Sequence, residues 1–166
     1  MTGTESVHER WRATFVRYAP LILWIGVIFF LSSPQASMAR TSGFVGPILR
    51  YLWPSVSDDT LYFVNFSIRK IAHFTEYSIL VILAIRALSR SRTASLYKYR
   101  YIIPLVLALA IASVDELNQS FEPSRTGLAS DVVLDFASAC IMAAILWLNK
   151  RPRQPVTGEL SSDGPK

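Results

Sequence analysis

The chain has 166 residues, 51% of them hydrophobic and only 17% charged, with a mean hydropathy of +0.32. A soluble domain carries about 25% charged residues, so the composition points to a membrane protein, and the length allows one domain. A net charge of +5 and a pI near 9.6 would suit nucleic-acid binding, but the placement of the basic residues gives them another role and leaves no nucleic-acid partner.

Residues 1–12 are polar and read as a disordered N-terminal segment. The first apolar run is "ATFVRYAPLILWIGVIFFLSS", residues 13–33, long enough to span a bilayer at about 20 residues per crossing. Arg10, Arg12 and Arg17 ahead of it, with "SPQASMA" behind it, also fit a signal peptide. Trp24, Phe29 and Phe30 make the run bulky and favour a retained helix. The connection 34–65 contains "GFVGPILRYLWPSVSDDTLYF". Tyr51 and Trp53 among Gly and Pro suggest a segment lying in the membrane interface. Ser57 before Asp58 and Asp59 reads as a helix N-cap with acids in the first turn. The second span, 66–88, "FSIRKIAHFTEYSILVILAIRAL", then begins early and exceeds the membrane thickness.

The third span is "YIIPLVLALAIASVDELNQ", 101–119, and the fourth is "GLASDVVLDFASACIMAAILWLN", 127–149. The lone Cys140 sits in this last run, which permits no internal disulfide and reads as a small core residue. The sequence thus predicts an all-α polytopic protein with four transmembrane helices over residues 13–149, followed by a disordered basic and polar tail, 150–166. Arg90, Arg92, Lys98 and Arg100 lie between spans two and three, and Lys150, Arg151 and Arg153 follow span four. The link between spans three and four holds Arg125 alone. By the positive-inside rule both termini are cytoplasmic.

Three spans carry ionisable groups near the outer face. At 1.5 Å per residue, Lys70 lies about 6 Å deep, His73 about 10 Å and Glu76 about 15 Å. Asp115 falls about 9 Å deep, Asp131 about 6 Å and Asp135 about 12 Å. Lys70, His73 and Tyr77 share a helix face, as do Asp115 with Gln119 and Asp131 with Asp135. A charge at mid-bilayer costs about 3 kcal/mol even on insertion scales, so these stripes must face one another or water. A polar pocket open to the outer face is expected, with Arg125 at its rim. A structural reading stands beside this one: Lys70 paired with Glu76 or Asp131, and Arg125 with Glu116. Interhelical polar contacts contribute only about 0.6 kcal/mol in membranes, so packing alone would be better served by Leu. Ser138 and Thr75 are ordinary small residues of membrane helices.

Lys70-x-x-His73-x-x-x-Tyr77, Asp115-Glu116-x-x-Gln119, Pro123 and Arg125 in the turn, Asp131, and the "FFLSSPQAS" stretch together resemble the VanZ-like family of small bacterial membrane proteins. The resemblance covers about residues 15–148. Ser124 stands where the family often has Gly before the turn Arg, Asp135 where it often has Asn, and Ser138 where it has a later Gly. The resemblance implies a multi-pass protein of the bacterial cytoplasmic membrane with an envelope role. The family takes its name from a protein that raises resistance to the glycopeptide teicoplanin. The resemblance singles out His73, Asp115, Glu116 and Asp131 as candidate catalytic groups, and Lys70, Glu76, Tyr77, Gln119 and Arg125 as candidate substrate-holding groups. It names no cofactor.

Three functions fit the residues. The first is an enzyme acting on a lipid headgroup or lipid-linked intermediate, with His73 as base or nucleophile. Asp115 or Asp131 would orient that imidazole, and Lys70 and Arg125 would hold a phosphate. The second is a hard-cation site built from His73, Glu76, Asp115, Glu116 and Asp131. The third is a non-catalytic lipid- or antibiotic-binding protein or a small transporter, although the inner segments "SILVILA" and "CIMAAILWL" offer an ion no polar path.

Overall fold

The computed structural model describes residues 7–33, 38–91, 93–120 and 129–149, and these are helical with short turns. In chain order the helices are α1 (Val7–Leu31), α2 (Met38–Leu52), α3 (Asp58–Ser89), α4 (Ala94–Lys98), α5 (Ile102–Ser120) and α6 (Ala129–Leu148). Four of them, α1, α3, α5 and α6, are long and apolar enough to cross a membrane. α1 begins at Val7, so residues 7–12, expected to be disordered, are helical. Glu9 in the first turn favours the helix N-terminus and the polar "HERWR" stretch simply extends the apolar run outward. The tail 150–166 lies outside the described residues.

Ser57 caps α3: its side chain accepts from the Thr60 backbone N–H, and Asp58 and Asp59 occupy the first turn. At 1.5 Å per residue the helix is about 48 Å long, well beyond a hydrocarbon core of about 30 Å. Its length exceeds one crossing, and α2 packs against α3. α2 fills much of the expected interfacial segment, with Ile48, Tyr51, Leu52 and Trp53 exposed around its end. Arg50 on α2 donates to Asp58 at 2.7 Å.

α3 is the hub. It packs most extensively on α6 and also touches α1 and α5, while α5 and α6 pack on each other. The core joins Ile28, Tyr77, Leu80, Val81, Ile85 and Ile111 with Ala108, Ala112, Ala139 and Ala143. Small residues at these contacts let backbones approach closely, which is how helices associate where lipid removes the hydrophobic driving force. Outward, Phe15, Leu23, Ile71, Val106, Val133 and Trp147 are exposed. Apolar groups outside and polar groups inside is the pattern expected in a bilayer. At the basic end, Arg100 is buried between aromatic rings, 4.1 Å from Tyr97 and 5.0 Å from Tyr101, and donates to the Tyr97 carbonyl at 2.8 Å. It is a stacking residue as well as a topology charge.

Candidate functional site

The polar stripes predicted on separate helices meet. On α3, Lys70 Nζ pairs with Asp131 Oδ1 of α6 and lies 5.1 Å from the Phe66 ring centre. Arg69 Nη2 donates to Gln119 Oε1 of α5 at 2.6 Å and stands 4.0 Å from Asp131 Oδ2. Gln119 Nε2 donates in turn to Asp115 Oδ2 at 2.9 Å, and that oxygen also accepts from Ser32 Oγ at 2.7 Å. One chain of contacts thus runs Ser32, Asp115, Gln119, Arg69, Asp131, Lys70. It ties the end of α1 to α5, α3 and α6.

One turn deeper, His73 Nδ1 lies 3.2 Å from Asp135 Oδ1. The two atoms are close without hydrogen-bond alignment, and neither has another partner in the protein. The register explains the pairing. α3 and α6 descend in the same direction. Moving from Lys70 to His73 goes down about 4.5 Å, and from Asp131 to Asp135 about 6 Å, so one ion pair sets the next. The imidazole's neighbour is therefore Asp135, not Asp115 or Asp131 as expected. Asp131 is held by Lys70, and Asp115 by Ser32 and Gln119.

Glu76, Asp115 and Asp135 all lie within electrostatic reach of His73. Tyr77 is fully buried a turn below His73, and its hydroxyl and Asp115 Oδ1 also lack a hydrogen-bond partner in the protein. Buried polar atoms are normally paired, so the Tyr77 hydroxyl and Asp115 Oδ1, beside a His73–Asp135 contact that lacks hydrogen-bond alignment, mark where chemistry or a ligand belongs. Glu116 is buried on α5 beside Asp115. Ser138 donates to its own helix at the Asp135 carbonyl, 2.7 Å, and Thr75 to the Ile71 carbonyl, 2.8 Å, as small residues of membrane helices do. Trp24 Nε1 on α1 closes the inner edge by donating to the Glu76 carbonyl at 2.9 Å.

The cluster is packed: Asp115 is 1% exposed and Asp135 2%. Among the described residues no three His, Cys, Asp or Glu side chains converge as metal ligands would, which leaves the cation-site reading without geometric support. Arg125, expected at the rim, lies outside the described residues.

Residues 17–150 match the family model VanZ/LLP1. The chain belongs to the VanZ-like family. No curated protein and no solved structure matches it. In this VanZ-like protein the matched segment contains every residue of the cluster. Sequence reasoning placed Asp135 among the departures and passed over Ser32 and Arg69. Arg69 was legible: it precedes Lys70 and stands i, i+4 from His73, the spacing used for the other stripes. Ser32 sits in the Ser-Ser stretch after the first span, and only the packing of α1 reveals that its hydroxyl reaches Asp115.

Proposed function

We propose that this VanZ-like protein acts on a lipid headgroup or a lipid-linked envelope intermediate, with His73 and Asp135 as its reacting pair. In this reading the packed site lies on the outer-leaflet side of the bacterial cytoplasmic membrane. The observation that carries the reading is the buried approach of His73 Nδ1 to Asp135 Oδ1 at 3.2 Å. Asp135 on Nδ1 leaves Nε2 toward a substrate. The imidazole takes a proton from a hydroxyl or water, and the carboxylate stabilises the cation that forms. Basic residues flanking the opposite helix ends support the sidedness. Lys70 is committed to Asp131, so in this reading Arg69 and Arg125 hold the anionic group. The family's link to glycopeptide resistance suits a site facing the envelope.

The non-catalytic alternative, binding of a lipid or antibiotic, is favoured by one observation: Lys70 is bonded to Asp131 and Arg69 Nη2 to Gln119, which gives these groups holding roles rather than proton transfer. Transport fits least, because the core below Tyr77 is aliphatic and Ala-rich. Turnover of a radiolabelled lipid extract by membranes carrying wild type, His73→Gln or Asp135→Asn separates the readings. Catalysis predicts turnover in wild type alone, at equal protein levels. Equal lipid profiles in all three, with teicoplanin tolerance retained by the variants, would leave a binding or packing role. Cysteines placed at Gly43 and Ser91 test sidedness: an impermeant maleimide should label the first in intact cells and not the second.

A further inference from the structure

A second polar station lies at the far end of the bundle. Between α1 and the turn joining α3 to α4 is a groove of about 260 Å³, lined by Thr14, Arg17, Tyr18, Ser91, Thr93 and Leu96, among others. Along α3, Ser91 is 18 residues beyond His73, or about 27 Å. Along α1, Arg17 is 15 residues before Ser32, or about 22 Å. Both helices place this groove nearly a membrane thickness away from the His73 cluster, so it is a separate site.

Its chemistry is that of an anion receptor. Arg17 offers a guanidinium, and Thr14, Tyr18, Ser91 and Thr93 offer hydroxyls. Ser91 Oγ accepts from the Thr93 backbone N–H at 3.2 Å, which leaves the Ser91 hydroxyl hydrogen to point elsewhere. Arg12 and Arg90 are exposed nearby in sequence. Among the described residues of α1, α4 and the intervening turn, Glu9 is the one acid. Elsewhere on the same turns of α1, Phe15 and Val16 are exposed apolar side chains that suit a lipid-facing surface. Leu96 supplies an apolar wall. A guanidinium, several hydroxyls and an apolar border fit a phosphodiester whose acyl chains run down the outside of the bundle. Basic pockets between membrane helices take such headgroups.

We infer that this groove binds the headgroup of an anionic phospholipid of the surrounding leaflet, with Arg17 on the phosphate and the Ser91 and Thr93 hydroxyls beside it. The test is native mass spectrometry of delipidated full-length protein titrated with phosphatidylglycerol or phosphatidylcholine. Wild type should retain phosphatidylglycerol preferentially. Arg17→Gln should weaken that retention about fivefold, the contribution of one basic residue at an anionic surface. Arg86→Gln, which removes an exposed charge outside the groove, should leave it unchanged. Should Arg17→Gln lose helix content, the charge-neutral double variant Thr14→Val with Ser91→Ala decides, and it should weaken retention in the same direction. Equal losses in Arg17→Gln and Arg86→Gln would reduce the effect to general attraction and overturn the site. So would unchanged retention in the folded variants. Binding of inorganic phosphate with the same Arg17 dependence and the same strength would make it a free-anion site and overturn the lipid assignment.

Discussion

In the half of the bundle that holds Leu80, Val81, Ala84, Ala108, Ala139 and Ala143, the helices meet through aliphatic and small side chains. In the half that holds His73, Asp115, Gln119, Asp131 and Asp135, the same helices meet through polar and ionisable groups that are also buried. The first half shows that this chain can hold α3, α5 and α6 together without a charge. The second half is therefore not needed for association, and it carries a desolvation cost that packing alone would not select. The contrast separates what builds the bundle from what uses it.

Four sets of substitutions break or sharpen that contrast. The largest effect belongs to the polar half. Removal of a general base typically costs 10²- to 10⁴-fold, so His73→Gln and Asp135→Asn should each reduce lipid turnover at least about 100-fold. The double variant should lose no more than the worse single, because groups acting as a unit are not additive. Membrane yield should stay normal in all three.

The apolar half should respond in the opposite way. Ala139 is fully buried in the core. Ala139→Leu overpacks it and should destabilise by about 3 kcal/mol, read as a fall in Tm in detergent, with the surviving protein active. If Ala139→Leu spares Tm but abolishes turnover, the division between the halves is wrong.

Lys70 and Asp131 test whether the polar half also supports itself. Lys70→Met strands the Asp131 carboxylate. Breaking a buried pair costs up to about 5 kcal/mol, but the Lys70 side chain is 24% exposed, so about 2 kcal/mol is expected. Lys70→Met combined with Asp131→Leu should restore most of the lost Tm. Failure of that rescue would mean that Arg69 and Gln119, not the ion pair, fix this end of α3.

The smallest effect is at the surface. The Arg50 and Asp58 side chains are 60% and 89% exposed, so Arg50→Ala should change stability by no more than about 0.5 kcal/mol. A larger loss of Tm would mean that α2 is part of the bundle rather than an appendage resting on α3.

The four spans, the early start of α3 at Asp58 and the meeting of polar stripes were legible because each follows from local rules: run length, an N-cap, and helical spacing. The partners were not. Depth counted from the ends of the spans put Asp115 and Asp131 as near to His73 as Asp135, within the uncertainty of where each helix enters the membrane. Only the register of α3 against α6 separates them, and that register is a matter of tertiary packing in the shared core, which includes Leu80, Val81, Ala139 and Ala143. Arg100 shows the same limit from the other side. Its charge was readable as topology, while its burial between Tyr97 and Tyr101 depends on how the turn before α5 folds back.

The bond between Lys70 and Asp131 joins residues 61 positions apart. Chains grow at about 5–20 residues per second, so Lys70 is made about 3–12 seconds before its counter-charge exists. During that interval the second span enters the bilayer carrying Arg69, Lys70 and His73 with no α6 to receive them. Until the last helix arrives, the polar end of the second span carries the cost of uncompensated charge. A ribosome that stops before Asp131 releases a chain whose second span is held in the membrane by its apolar run alone, with Lys70 left without its counter-charge.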